Sequence, residues 1–235
     1  MKYAYYIKKF WPVYLITGVL CILLTAGMDQ AVTTIAENIP LPRNHTIVID
    51  AGHGGEDGGA TSCSGVLESQ INLQIALRLR DMFHLLGYQT LMIRTTDISV
   101  YTEGNTIAAK KISDLRHRAR MVNEVGDSLL ISIHQNTFPI EKYRGAQVFY
   151  NEYSQAKELA QQLQTCFVAS INPGSKRKCK SADGIYLMDA VKRPAVLVEC
   201  GFLSNMEEEA KLREKVYQQK ICCVIASCVS SYLNS

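Results

Sequence analysis

The amino-acid sequence predicts an α/β domain with three layers, α/β/α, and a mostly parallel twisted sheet flanked by helices. Two observations carry this. From Thr46 onward, short apolar or β-branched runs alternate with longer stretches whose apolar residues recur every three or four positions. His53, His134 and Glu199 fall at the ends of three of the short runs, where open α/β sheets present their ligands.

The elements follow in order. Lys2, Lys8 and Lys9 precede an uncharged, largely apolar run from Phe10 to Met28, which Asp29 ends. A basic start before a short apolar stretch reads as an export signal. Residues 1–28 are therefore expected to be a signal peptide or a signal anchor, the run being just long enough to span a bilayer at a tilt. A buried core helix fits less well, because Pro12 and Gly18 are poor helix-interior residues. With the lysines inside, the remainder would face outward. Residues 29–45, with Pro40, Pro42 and Asn44, read as a linker, and residues 46–235 as the folded domain.

Within that domain, Ile47–Ile49 is the first strand and runs into the turn Asp50-Ala51-Gly52. Residues 68–86 are helical, with Ile75, Leu79, Met82 and Leu86 on one stripe, and Gly87 stops them. Tyr88–Arg94 is a strand, and 112–124 a helix with Leu115, Ala119 and Val122 on one side. Ser128–Ile133 is a buried strand, and Gly145–Tyr150 is another in a hairpin-like excursion. A helix over 153–171, strands over Ile185–Met188 and Pro194–Cys200, and a closing helix over 207–233 complete the set.

Composition bounds the function. The formal net charge of +3 comes from the three N-terminal lysines, so residues 29–235 carry no net charge. That argues against nucleic acid or another strong polyanion as the main partner. The eight cysteines, of which Cys21 lies in the expected signal, include no C-x-x-C pair, so most of them read as small core residues and imply no particular disulfide.

Four residues concentrate the chemistry. Glu68 opens the first helix on the stripe through Asn72 and Ile75, so its carboxylate points inward. Burying it is costly unless it is paired or binds a cation, although a helix N-terminus also favours an acid. His53 lies among Gly52, Gly54 and Gly55, which permit unusual backbone angles and close approach of a ligand. A buried strand delivers His134, with Asn136 two residues later. Glu199 ends a strand of Val196, Leu197 and Val198, where the bland explanation is a salt bridge to Arg193, Arg116 or Arg118. Two histidines and a glutamate form a zinc set with one open position, which leaves Glu199 free to move protons. Asn136 and the amides of Gly54 and Gly55 are candidates for holding substrate. His45, His84 and His117 read as structural. Ligand chemistry alone fits a peptidase or a polysaccharide deacetylase as well as an amidase.

Four segments resemble the zinc-dependent N-acetylmuramoyl-L-alanine amidases of the amidase-3 type: IDAGHGGEDGGA (Ile49–Ala60), LESQINL (Leu67–Leu73), LLISIHQN (Leu129–Asn136) and PAVLVECGFLSN (Pro194–Asn205). The resemblance implies that His53, Glu68 and His134 bind one zinc ion and that Glu199 is the catalytic acid/base. DISVYTEG, ISDLR, HQNTFP and KYRGAQVFY are similar to the spore-cortex, germination-specific branch. That branch implies removal of peptide stems from peptidoglycan so that muramic-δ-lactam can form. It also implies an extracytoplasmic site such as the forespore intermembrane space, with an accessory lipoprotein or companion deacetylase as partner. The alternatives are a vegetative cell-wall amidase and a non-catalytic wall- or partner-binding domain.

Overall fold

The structure is a computed structural model and describes residues 45–234. The expected signal, and all of the expected linker but His45, lie outside the described residues. Among the described residues no helix is long and apolar enough to cross a membrane.

Six strands form one sheet among these residues: β1 (Thr46–Ala51), β2 (Gln89–Met92), β3 (Ser128–Asn136), β4 (Gln147–Tyr150), β5 (Lys180–Ser181) and β6 (Ala195–Phe202). Their spatial order is β2-β1-β3-β6-β4-β5. The first four in that order are parallel, whereas β4 runs antiparallel to β6 and carries β5 parallel to itself. The helices are α1 (Glu68–Leu85), α2 (Ile107–Glu124), α3 (Ser154–Ser170), α4 (Tyr186–Ala190), α5 (Met206–Arg213) and α6 (Lys215–Tyr232).

Successive strand residues face opposite sides, and this alternation builds the layers. Ile47, Ile49, Ile131, Ile133, Val196 and Val198 share one core, covered by Ile75, Leu79 and Phe83 of α1, Leu159 and Leu163 of α3, and Ile225 of α6. Val48, Leu130 and Leu197 point the other way, under Ala119 and Val122 of α2 and Leu187 and Met188 of α4. Each fully buried Ile or Leu side chain contributes about 1.5–3 kcal/mol, so both faces hold the strands in register.

Several expectations change. The apolar run Ile185–Met188 is not a strand; Tyr186–Ala190 is helical, packing Leu187 and Met188 into the second core. A run this short has no periodicity to separate a strand from a helical turn. The expected closing helix is two, broken where Glu214 is extended (φ −79°, ψ 128°). No Pro or Gly announces that break. Tertiary contacts orient α5 instead: Glu208 accepts the amides of Gly145 and Phe202, and Glu209 accepts the hydroxyls of Ser62 and Ser64. The second helix starts at Ile107, five residues early, with the Thr106 hydroxyl capping the Ala109 amide at 3.2 Å. The excursion at β4 pairs with β6, not with its sequence neighbour β3. Among the described cysteines, all free, Cys200, Cys222 and Cys228 are buried, Cys166 and Cys179 half-buried, and Cys63 and Cys223 exposed.

Candidate metal centre and active site

The site forms just past β1, along the C-terminal halves of β3 and β6, and at the start of α1. His53 follows β1 with φ 61°, in the left-handed region that non-glycine residues rarely adopt. Arg118 helps hold it there by donating to the His53 carbonyl at 2.8 Å. His134 does not follow β3 but lies within it, in register with Glu199, which lies within β6. Both strands run past these residues, and register partners on adjacent strands sit side by side.

Glu68 joins the two histidines. Its Oε1 lies 3.0 Å from His134 Nδ1 and accepts Asn72 Nδ2 and the Gln135 amide, both at 3.1 Å. Its Oε2 lies 3.3 Å from His53 Nε2 and accepts the Ala60 amide at 3.0 Å. One nitrogen from each histidine and one Glu68 oxygen all lie within 4.8 Å of one another. The imidazole centroids are 5.0 Å apart, with the rings nearly perpendicular.

Two glycines make room for this. A Cβ on Gly52 would fall 2.2 Å from the His134 ring, and one on Gly59 would fall 2.6 Å from Glu68 Oε2 and 2.7 Å from His53 Cδ2. The histidine–carboxylate–histidine set suits a zinc-like cation, and these glycines form a cradle that any side chain would fill.

The electrostatics follow from burial. Desolvation pushes the Glu68 carboxyl up, but His134, His53 and the Ala60 amide outweigh it and hold the group at about 2. Glu199 lacks such help. Burial, with a smaller push from Glu68 and against the pull of His134, raises it to about 7. Its Oε2 is buried without a hydrogen-bond partner. The salt-bridge explanation fails for Arg118, which pairs with Asp50 at 2.5 Å and Asp114 at 2.5 Å. Arg193 donates to the carbonyls of Val125 and Gly126. Among the described residues Glu199 has no ion pair.

The supporting shell was only partly visible in sequence. Asp50, a lone acid in the strand TIVIDA, takes Arg118 and the Ser132 hydroxyl at 2.6 Å. Buried Arg94 donates to the carbonyls of Ala51, Gly52 and Ser69 and so ties β1 to α1. Neither contact has a local signature. The Gly54 amide donates to the Asp57 carbonyl at 2.8 Å, and the Gly55 amide to Asp97 Oδ1 at 3.1 Å. Asn136 ends β3 beside the site, and its carbonyl accepts the Leu203 amide. His45, His84 and His117 contact Asp127, Thr90 and Arg120 and stay outside the centre.

Residues 47–231 match the family described as N-acetylmuramoyl-L-alanine amidase (Amidase_3). The chain belongs to this family. It is 37% identical over 188 residues to the germination-specific N-acetylmuramoyl-L-alanine amidase of Bacillus subtilis, covering 79% of this chain and 78% of that protein. Identity to N-acetylmuramoyl-L-alanine amidase LytC of the same organism is 30% over 211 residues, covering 88% of this chain but only 39% of LytC. Among solved structures, the CwlD amidase from Clostridioides difficile in complex with the GerS lipoprotein superposes with a TM-score of 0.78 at 37% identity. That match covers 81% of this chain and 99% of the other. The amidase described here therefore acts on peptidoglycan, and its six-stranded mixed sheet is that of its family.

Proposed function

We propose that this amidase is zinc-dependent, that it cuts the bond between N-acetylmuramic acid and L-alanine, and that it serves spore-cortex maturation, where stem removal precedes muramic-δ-lactam formation. One observation carries the chemistry: His53, Glu68 and His134 converge within 4.8 Å while unpaired Glu199 lies in register with His134. Similarity to the germination-specific amidase supports the cortex role.

His53, Glu68 and His134 would hold the ion. When bound, zinc polarises the scissile carbonyl and makes water a better nucleophile near neutral pH. Glu199 takes the proton of the attacking water and returns it to the departing alanine nitrogen. Its raised pKa, about 7, suits a group that must both accept and release a proton. Asn136, two residues beyond His134, is assigned to hold the substrate. The Gly54 and Gly55 amides would do so only by exchanging their present partners.

The enzyme is proposed to work outside the cytoplasm, secreted or anchored by residues 1–28. The likeness to a lipoprotein-bound amidase supports an accessory lipoprotein as partner; a companion deacetylase is the alternative. Mass spectrometry of cortex-type and vegetative muropeptides after incubation with the zinc-loaded enzyme tests the reading. The expected products are intact stem peptides, with cortex material cut preferentially. Shortened stems would indicate a peptidase, released acetate a deacetylase, and preference for vegetative material a wall-turnover role.

A further inference from the structure

Past His134, residues 137–146 form a loop at the rim of the site, and the chemistry above makes no use of its aromatic rings. Phe138 meets Tyr143 edge to face, with centroids 4.8 Å apart, and Tyr143 stacks near Phe202 at 6.4 Å. The Arg177 guanidinium lies 4.7 Å above the Phe202 ring, and Lys142 Nζ is 6.0 Å from the Tyr143 ring centroid. The row is Phe138, Tyr143, Phe202, Arg177. Within it, Phe202 stands three residues beyond Glu199 on β6, and Phe138 four residues beyond His134.

The row is both braced and open. The Phe138 amide donates to Ser204 Oγ at 3.1 Å, and Asn205 Nδ2 donates to the Glu141 carbonyl at 2.6 Å. Arg177 donates to the Arg144 carbonyl at 2.9 Å and to Gln147 Oε1 at 3.2 Å. Yet Phe138 is 44%, Ile140 46% and Tyr143 39% exposed. Contiguous apolar surface in a pinned loop marks an interaction site, and pre-ordering lowers the entropy lost on binding. Beside it, Arg144 and Asn205 line a polar cleft of about 420 Å³, within the usual range of about 300–1,000 Å³ for ligand sites.

We infer that this row is a glycan subsite, which holds the sugars flanking the one whose stem is cut. This rests on the amidase function above. The substrate is a polymer, so the neighbouring sugars must lie on the protein surface beside the site. A pyranose ring offers an apolar C–H face to an aromatic ring and hydroxyl and amide edges to the cations Lys142 and Arg144. Two exposed rings, Phe138 and Tyr143, set nearly perpendicular to each other over the buried Phe202 and bordered by charges, match that alternation better than a purely apolar partner surface would.

The test compares Phe138→Ala, Tyr143→Ala and Tyr143→Phe with the wild type on two substrates, glycan strands carrying stems and a single muramoyl peptide. Thermal unfolding checks that each variant is folded. The two alanine variants are expected to raise KM for strands by about tenfold with little change in kcat, so that the preference for polymer over monomer collapses. Tyr143→Phe should retain that preference, because the ring face is kept. Equal losses on both substrates, or an unaltered preference, would overturn the subsite. So would variants that keep the preference but no longer bind a lipoprotein partner, which would make the row a protein interface. A wild type that cuts neither substrate would overturn the amidase function itself, a result distinct from failure of the subsite alone.

Discussion

Asp57 Oδ2 lies 3.0 Å from His53 Nδ1, on the side of the ring opposite the nitrogen that faces Glu68. The same oxygen is 3.2 Å from Lys111 Nζ, and Oδ1 accepts the Gly59 amide at 3.2 Å. A carboxylate on that side favours a proton on Nδ1, which would leave the Nε2 lone pair free for a cation held with Glu68 and His134. Asp57→Asn is expected to weaken zinc binding by about 10–100-fold, read by competition with a coloured chelator. The unfolding temperature of the metal-free protein should move little. Unaltered zinc affinity would show that Asp57 serves only the loop.

Glu199→Gln keeps the shape of the side chain and removes its ability to accept a proton. Zinc content should stay at one ion per chain, while kcat falls by about 10²–10⁴-fold. His134→Ala should lose the metal as well as the activity. Elemental analysis beside muropeptide turnover separates the two, and near-normal turnover by Glu199→Gln would remove its assigned role.

Gly52→Ala probes the packing that brings the candidate ligands together. The added methyl would sit 2.2 Å from the His134 ring, so the ring or the β1 backbone must shift. Overpacking of this kind costs about 1–3 kcal/mol. The variant should melt at a lower temperature and retain less zinc. An unaltered melt with full zinc occupancy would mean that the ring has more freedom than its surroundings indicate.

The Asp50–Arg118 pair sets an acid limit on stability. Burial pushes the Asp50 carboxyl up, but Arg118, His134 and the Ser132 hydroxyl outweigh it and hold it below its ordinary value. The folded state therefore binds the Asp50 proton less readily than the unfolded chain does. The resulting stability is fully present above the unfolded pKa of about 3.9 and is lost as pH falls through the lower folded value. Glu68, also held down, acts in the same direction. Unfolding temperature should be flat on this account above about pH 5 and fall below about pH 4, with a shallower fall in Asp50→Asn. Arg118→Met would strand the buried Asp50 charge and cost about 3–5 kcal/mol near neutral pH, measured by urea unfolding.

Local pattern determined much of this protein. The alternation of strands and helices sufficed for the layers, because apolar periodicity and strand burial are properties of neighbouring residues. The helix over Glu68–Leu85 and the burial of Glu68 were legible for the same reason. The candidate ligands were legible because polar residues stood where an apolar run offered no local use for them. Tertiary structure alone decided the rest. The break at Glu214, the helical turn at Tyr186–Ala190 and the pairing of β4 with β6 depend on distant partners. So do the clasp of Arg118 on Asp50, 68 positions away, and the stack of Tyr143 against Phe202. These choices turn on which buried charge, amide or ring meets which partner across the fold, a quantity that no window of neighbouring residues contains.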